Sequence, residues 1–237
     1  MKPYLHKNND KDVFSHSRTK KITKGELYMD DTLFYKNNIK ATVFPAPENQ
    51  YIIETDLKKY IKSFNTAVDV GARVGEWSRP LGKYFNKVIS FEAREKWCQS
   101  FIKNVIMENA TLYNYALGNT NSWARMSGNR IKGDSEEYKT LIHKASTRPV
   151  EIRPLDSFNI DSIDFIKIDT DGYEMEVLLG GESTILKTKP IIFIECEVET
   201  RDDKLPEYCK YLEGIGAKVL KEYGHKYYIN DRLYGWE

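Results

Sequence analysis

The chain has 237 residues, of which 41% are hydrophobic, 30% charged and 13% aromatic. That length favours one ample domain, and the composition excludes a disordered polyelectrolyte, a collagen-like repeat and a coiled coil. Thirty-six Lys and Arg against 35 Asp and Glu leave a formal charge of +1, which removes the usual electrostatic basis for a nucleic-acid or membrane-surface binder.

Residues 1–25 are rich in Lys, Asn, Asp and Ser, include His6 and His16, and read as a basic, flexible N-terminal arm. The start is unlike a signal peptide and no apolar run reaches the roughly 18–20 residues of a membrane span, so the expected location is cytoplasmic. Leu27–Tyr28, Leu33–Tyr35 and Ala41–Phe44 suggest short strands, giving a hairpin extension over 26–48 at the start of a single domain spanning 26–237.

Apolar, β-branched runs then alternate with segments of helical period, the pattern of an α/β domain. Thr66–Val70 reads as a strand buried on both faces, Glu76–Phe85 as a helix and Lys87–Phe91 as a strand. Glu95–Met107 follows as a helix with Phe101, Ile102, Val105 and Ile106 inward, and Thr111–Ala116 as the third strand. Residues 118–161 are too many for a tight crossover and read as an inserted lid. It is expected to hold a strand at Trp123–Met126, a helix near Glu136–His143 and a strand at Val150–Pro154. Trp123, Arg125, Arg130, Lys132 and Tyr138 are its candidate contacts, and Gly128 and Gly133 its pivots.

Ile163–Ile168 is a strand interrupted only by Asp164 and Lys167, and a helix from Tyr173 to about Leu186 carries Met175, Leu178, Leu179 and Leu186 at helical spacing. Gly180 and Gly181 weaken that helix by about 1 kcal/mol each relative to Ala, which implies close backbone packing. Pro190–Cys196 is the fifth core strand, Lys204–Leu212 a helix, and Val219–Tyr223 and Tyr227–Ile229 two closing strands. Cys98, Cys196 and Cys209 show no CxxC spacing and read as reduced thiols.

Asp69-Val70-Gly71-Ala72-Arg73-Val74-Gly75 falls where the first strand ends and a helix begins, the place of a Gly-rich cofactor turn. A nicotinamide or flavin dinucleotide needs G-x-G-x-x-G, and Ala72-Arg73 breaks that spacing. A carboxylate at Asp69 would repel a pyrophosphate but attract the ammonium and sulfonium of S-adenosylmethionine. Glu92, 23 residues on at the end of the second strand, is placed to accept hydrogen bonds from both ribose hydroxyls.

These blocks, with Phe91-Glu92-Ala93, Asn114-Tyr115-Ala116-Leu117-Gly118, Pro154-Leu155-Asp156-Ser157 and Asp164-Phe165-Ile166-Lys167-Ile168-Asp169-Thr170-Asp171-Gly172-Tyr173-Glu174, resemble the FkbM-type S-adenosylmethionine-dependent methyltransferases over roughly residues 49–197. That family usually carries Asn where this chain has Arg73 and Glu where it has Asp171. The resemblance implies a class I, Rossmann-like methyltransferase fold: a seven-stranded, mostly parallel sheet with helices on both faces. It also implies a cofactor set of Asp69, Gly71, Ala72, Arg73, Gly75, Glu92, Ala93, Ala116 and Asp169. The implied acceptors are hydroxyls of small molecules or glycans, a sugar hydroxyl above all.

O-methylation is an in-line displacement in which a poor nucleophile must lose its proton. Asp169, Asp171 and Glu195 are the candidate catalytic carboxylates, with Asp169 the first choice as base. Alternatively the three share Mg²⁺ or another divalent ion that orients a diol. In a third reading Asp169 binds the cofactor's amino group, Asp171 caps the helix near Tyr173, and Glu174 and Glu197 are solvated. His143 and His225 read as surface or packing residues, and Trp77, Trp97, Trp123 and Trp236 as stacking platforms or core. The rivals are a nicotinamide-dependent oxidoreductase, disfavoured by the missing glycine, and a catalytically silent domain of the same fold. Nucleic-acid methylation is disfavoured by the near-neutral charge.

Overall fold

The computed structural model describes residues 47–127, 130–134, 149–199, 205–225 and 228–236. The basic arm, residues 26–46 of the expected hairpin extension, and residues 135–148 with Tyr138 and His143 lie outside the described residues. Residues 47 and 48, expected to close that extension, instead begin a helix, α1 (Pro47–Ile52). Pro47 at its first position has no N–H to leave unsatisfied. A π-helical turn (Ile53–Leu57) and α2 (Lys58–Tyr60) continue it. Asp56 in that turn is buried and receives Lys221 Nζ at 2.6 Å and Tyr223 Oη at 3.1 Å, which ties the helical run to the far edge of the domain.

The main sheet contains β1 (Thr66–Val70), β2 (Lys87–Phe91), β3 (Ala110–Tyr113), β8 (Phe165–Ile168), β9 (Ile191–Glu199), β10 (Lys218–His225) and β11 (Tyr228–Gly235). Their order is β10-β11-β9-β8-β1-β2-β3, with β9 to β3 parallel and β11 antiparallel to both its neighbours. This is the class I methyltransferase architecture. All five residues of β1 and all four of β8 are buried, as parallel strands covered on both faces must be. One cover is built on Val68, Val70, Ile166 and Ile168 and includes Val177, Leu178, Ile185 and Leu212. The other is built on Ala67, Val88 and Phe165 and includes Ile53, Leu57, Trp77 and Leu81. The period of two along each strand thus feeds two separate cores.

The helices are shorter than their apolar periods predict. Of Glu76–Phe85 only α3 (Ser78–Leu81) is α-helical. In the next helix, α4 (Glu95–Asn104), Val105 leaves the helical region to pack in the core, and Ile106, expected inward, is 77% exposed. The predicted third strand divides: β3 joins the main sheet, while β4 (Ala116–Leu117) joins β5 (Ser122–Ser127), β6 (Arg130–Asp134) and β7 (Val150–Arg153) in a second sheet of order β4-β7-β5-β6. The helix expected from Tyr173 to Leu186 breaks into α5 (Glu174–Gly180) and α6 (Glu182–Thr188), and α7 (Glu207–Gly214) precedes β10. Leu179 and Leu186, at helical spacing in the single-helix reading, are exposed, whereas Val177 and Ile185 are buried. No helix among the described residues is long and apolar enough to cross a membrane.

The break at Gly180 reflects the close packing its sequence implied. A Cβ there would stand 1.9 Å from the carbonyl oxygen of Gly118, so α5 presses directly on the backbone entering the second sheet. Helix propensity alone would make Gly180→Ala stabilising. The contact reverses the sign: the substitution is expected to destabilise by about 1–3 kcal/mol in urea denaturation.

Candidate functional site

β1 and β8 lie side by side where the chain order reverses, and at such a switch point the carboxyl ends of the strands open a crevice. A cleft of about 640 Å³ occupies it, a size suited to a ligand of cofactor dimensions. Its walls include Gly71, Ala72, Arg73, Glu92, Ala93 and Ala116 of the expected cofactor set, and Asp169, Asp171 and Glu195 of the expected catalytic set. Asp69 and Gly75 are not among the lining residues; they lie in the structure beneath.

Gly71 has φ 74°, and a Cβ on it would fall 1.9 Å from the carbonyl oxygen of Asp169. Only glycine permits that approach of the β1 turn to the end of β8. The amides of Gly71 and Ala72 both donate to Phe91 O, at 3.0 and 2.9 Å, so the turn is fastened to β2 as well. One residue on, Glu92 Oε2 accepts from the Arg73 amide at 2.8 Å and Oε1 from the Arg94 amide at 2.7 Å. Burial pushes the Glu92 carboxyl pKa up from its ordinary value, against the opposing pull of those amides. Asn114 Nδ2 donates to Glu92 O and Ala93 O, at 2.8 and 3.0 Å, which explains why the chain leaves the sheet after Tyr113.

Asp69 is a correction to the sequence reading: it is fully buried and faces Lys167 and Ser78, not a ligand. Ser78 Oγ donates to Asp69 Oδ2 at 2.5 Å and is paired with Ser90 Oγ at 2.8 Å. Lys167, opposite Asp69 in the β1–β8 register, was expected only as an interruption of its strand. Its ammonium donates to Gly71 O at 2.8 Å and Val70 O at 3.1 Å and lies 3.3 Å from Asp69 Oδ1 and 3.6 Å from Asp169 Oδ2. Burial favours loss of its proton, but the Asp169 and Asp69 carboxylates outweigh that and raise its pKa above the ordinary value.

Asp169, with a side chain 45% exposed, faces the cleft. Asp171 follows it in a left-handed conformation, φ 58°, and Glu195 of β9 stands opposite Asp231 of β11. All line the cleft, yet no group of three such residues among the described ones is gathered closely enough to hold a metal ion, so the expected metal set Asp169, Asp171 and Glu195 is not formed. Glu174, read as solvated, is buried; its Oε1 accepts from the Thr170 amide and hydroxyl and the Gly172 amide, shaping the loop that presents Asp169 and Asp171. Asp156 likewise serves the fold, accepting from the amides of Ser183 and Thr184 at the start of α6.

Of the tryptophans, Trp77 and Trp97 line the cleft, Trp97 with the Arg73 guanidinium carbon 5.5 Å from its ring centre. Trp236 donates to Pro190 O at 2.8 Å and packs against the core. The expected lid contributes Met126 and Ile131, while Trp123, Arg125 and Arg130 are not among the lining residues. Asn49 and Ile52 of α1 complete a wall that sequence reasoning missed, although Ile53 and Leu57 with Pro47 ahead of them carried the helical signal.

The profile of the Methyltransferase FkbM domain matches residues 69–227. Among solved structures, the chain resembles the FkbM methyltransferase of Methylobacillus flagellatus at 18% identity and a TM-score of 0.49, covering 72% of this chain and 43% of that one. It also resembles the ribosomal protein L11 methylase of Lactobacillus delbrueckii subsp. bulgaricus, at 10% identity and a TM-score of 0.48, over 80% and 79% of the two chains. The precorrin 8w decarboxylase of Methanobacterium thermoautotrophicum is a third, at 16% identity and a TM-score of 0.48, over 80% and 90%. No curated protein matches the chain.

Breaking one partner of a buried ion pair leaves an uncompensated charge. Lys167→Met is therefore expected to destabilise the fold by about 3–5 kcal/mol in urea denaturation. Adding Asp69→Asn to the same chain is expected to restore most of the loss; equal instability in the double variant would show that the ammonium's bonds to Val70 and Gly71 dominate.

Proposed function

The chain belongs to the FkbM methyltransferase domain family, and on that premise we propose that it is an S-adenosylmethionine-dependent O-methyltransferase acting on a sugar hydroxyl of a small molecule or glycan. The observation that carries the reading is Glu92: a buried carboxylate at the end of β2, each oxygen anchored by one backbone amide, beside a glycine turn that admits close approach. Each oxygen keeps a lone pair for one hydroxyl of a ribose diol. When bound, S-adenosylmethionine supplies a methyl group on a cationic sulfur, and transfer to oxygen leaves a neutral thioether while the hydroxyl proton departs.

The chain's own residues divide that work. Gly71, Ala72 and Arg73 form the turn on which the cofactor's backbone contacts are made, and Ala93 and Ala116 leave room beside Glu92. Asp169 takes up the acceptor proton at its carboxylate, since it is the cleft-facing acid whose carbonyl abuts the turn. Asp171 and Glu195 accept hydrogen bonds from neighbouring hydroxyls, and Trp77, Tyr115 and Tyr173 offer ring surface to the apolar face of a sugar.

Calorimetric titration with S-adenosylhomocysteine, with NADH as control, tests the cofactor assignment. Micromolar binding of the first and none of the second is expected, and Glu92→Ala should weaken it by about 1.5–3 kcal/mol with the fold intact. Binding of NADH, or an unchanged affinity in the Glu92 variant, would overturn it. Incubation with methyl-labelled cofactor and a sugar panel should then yield methyl ethers; label on amines instead would refute the hydroxyl assignment.

A further inference from the structure

Resting on the cofactor assignment above, we propose that Asp69, Lys167 and Asp169 form a fixed-charge unit, two carboxylates against one ammonium, that makes the cleft prefer the sulfonium cofactor over its neutral thioether product. The two ligands share their nucleoside and amino-acid groups and differ only in one methyl and one positive charge. Contacts such as those of Glu92 with a ribose act on both alike. Selectivity must come from a group that senses charge at sulfur and is held still.

The Asp69–Lys167–Asp169 unit has that character. Lys167 Nζ lies 3.3 Å from Asp69 Oδ1 and 3.6 Å from Asp169 Oδ2, and both Asp69 and Lys167 are withdrawn from water. The two buried charges compensate each other, leaving the net negative charge on Asp169, which lines the cleft together with Lys167 but is the exposed member there, at 45% against 3%. The ammonium also grips Gly71 O and Val70 O, so the charge and the cofactor turn are held in one frame. Without the ammonium the two carboxylates would face each other with no opposite charge between them. A unit negative charge held at the cleft wall attracts a cationic ligand more than a neutral one of the same shape. The result is a cleft that holds cofactor more tightly than product, which favours release after transfer.

Titrations with S-adenosylmethionine and S-adenosylhomocysteine, neither of which turns over without an acceptor, read the ratio of the two affinities. Asp169→Asn neutralises the unit and is expected to shift the ratio about tenfold against the sulfonium. The paired Asp69→Asn and Lys167→Met variant leaves the net charge unchanged, so the ratio should stay within about twofold even as both affinities fall. Glu182→Gln, a carboxylate outside the cleft, should also leave it within about twofold. An unchanged ratio in Asp169→Asn, an equal shift in Glu182→Gln, or loss of the ratio in a folded paired variant would each overturn the proposal. Should the paired variant fail to fold, the two single variants decide. If the wild type binds neither ligand, the cofactor assignment fails instead.

Discussion

A single buried ammonium holds the centre of this molecule together. Lys167 spans the two parallel strands at the point where the sheet's connectivity reverses, and its donors go to the carbonyls of Val70 and Gly71 beside the Asp69 carboxylate. Those carbonyls sit at the end of β1, where the chain must turn sharply and, of the two, the neighbouring backbone reaches Val70 O, through the Asp169 amide at 3.3 Å. Left unpaired they would carry the desolvation penalty of buried acceptors. The ammonium satisfies them and fixes the separation between the glycine turn and the loop bearing Asp169. Glu92, the Asn114 bracket and the Glu174 loop are then arranged around that frame.

The strands were legible in the sequence because burial on both faces leaves little choice of residue. Thr66–Val70, buried throughout, has its expected bounds for that reason, and Lys87–Phe91 has its own with only Lys87 exposed. Helices were less legible, since an apolar period does not reveal where tertiary contact overrides it. Val105 abandons the helix to pack with Ala72 and Phe101, and Gly180 stops one because the Gly118 backbone lies against it. The division of Thr111–Ala116 between two sheets depends on Asn114 reaching back to Glu92, a contact 22 residues distant that no local pattern encodes.

At the site, strand-end position predicts which residues reach the cleft, whereas burial against a partner is not visible in a single position. Gly71 and Glu92 are recognisable from position at strand ends. Asp69 carries the same signal, yet the structure turns it inward because Lys167 and Ser78 stand where they can neutralise and bond it. An ionisable residue in a strand buried on both faces requires an opposite charge nearby. Lys167 met that condition, and Asp69 was the acid its register would reach. Glu174 hides for the converse reason, since only the loop's own amides turn it from a solvated helix residue into a staple.

The two departures from the usual family spelling fall on left-handed backbone. Arg73 has φ 49° and Asp171 φ 58°. Asn and Asp adopt that region with least penalty, whereas a long side chain such as Arg meets more steric resistance. Asp171 therefore eases its loop relative to Glu while keeping a carboxylate in the cleft. Arg73 does the opposite, keeping the strained turn and relying on tertiary contacts: its amide is held by Glu92, and its guanidinium by Trp97 and by Glu76 at 3.5 Å. Such strain persists only where the surroundings over-determine it. The same amide that constrains Arg73 also orients the Glu92 carboxylate, so the conformational demand of the turn and the geometry of the buried acid beside it are one constraint seen from its two ends.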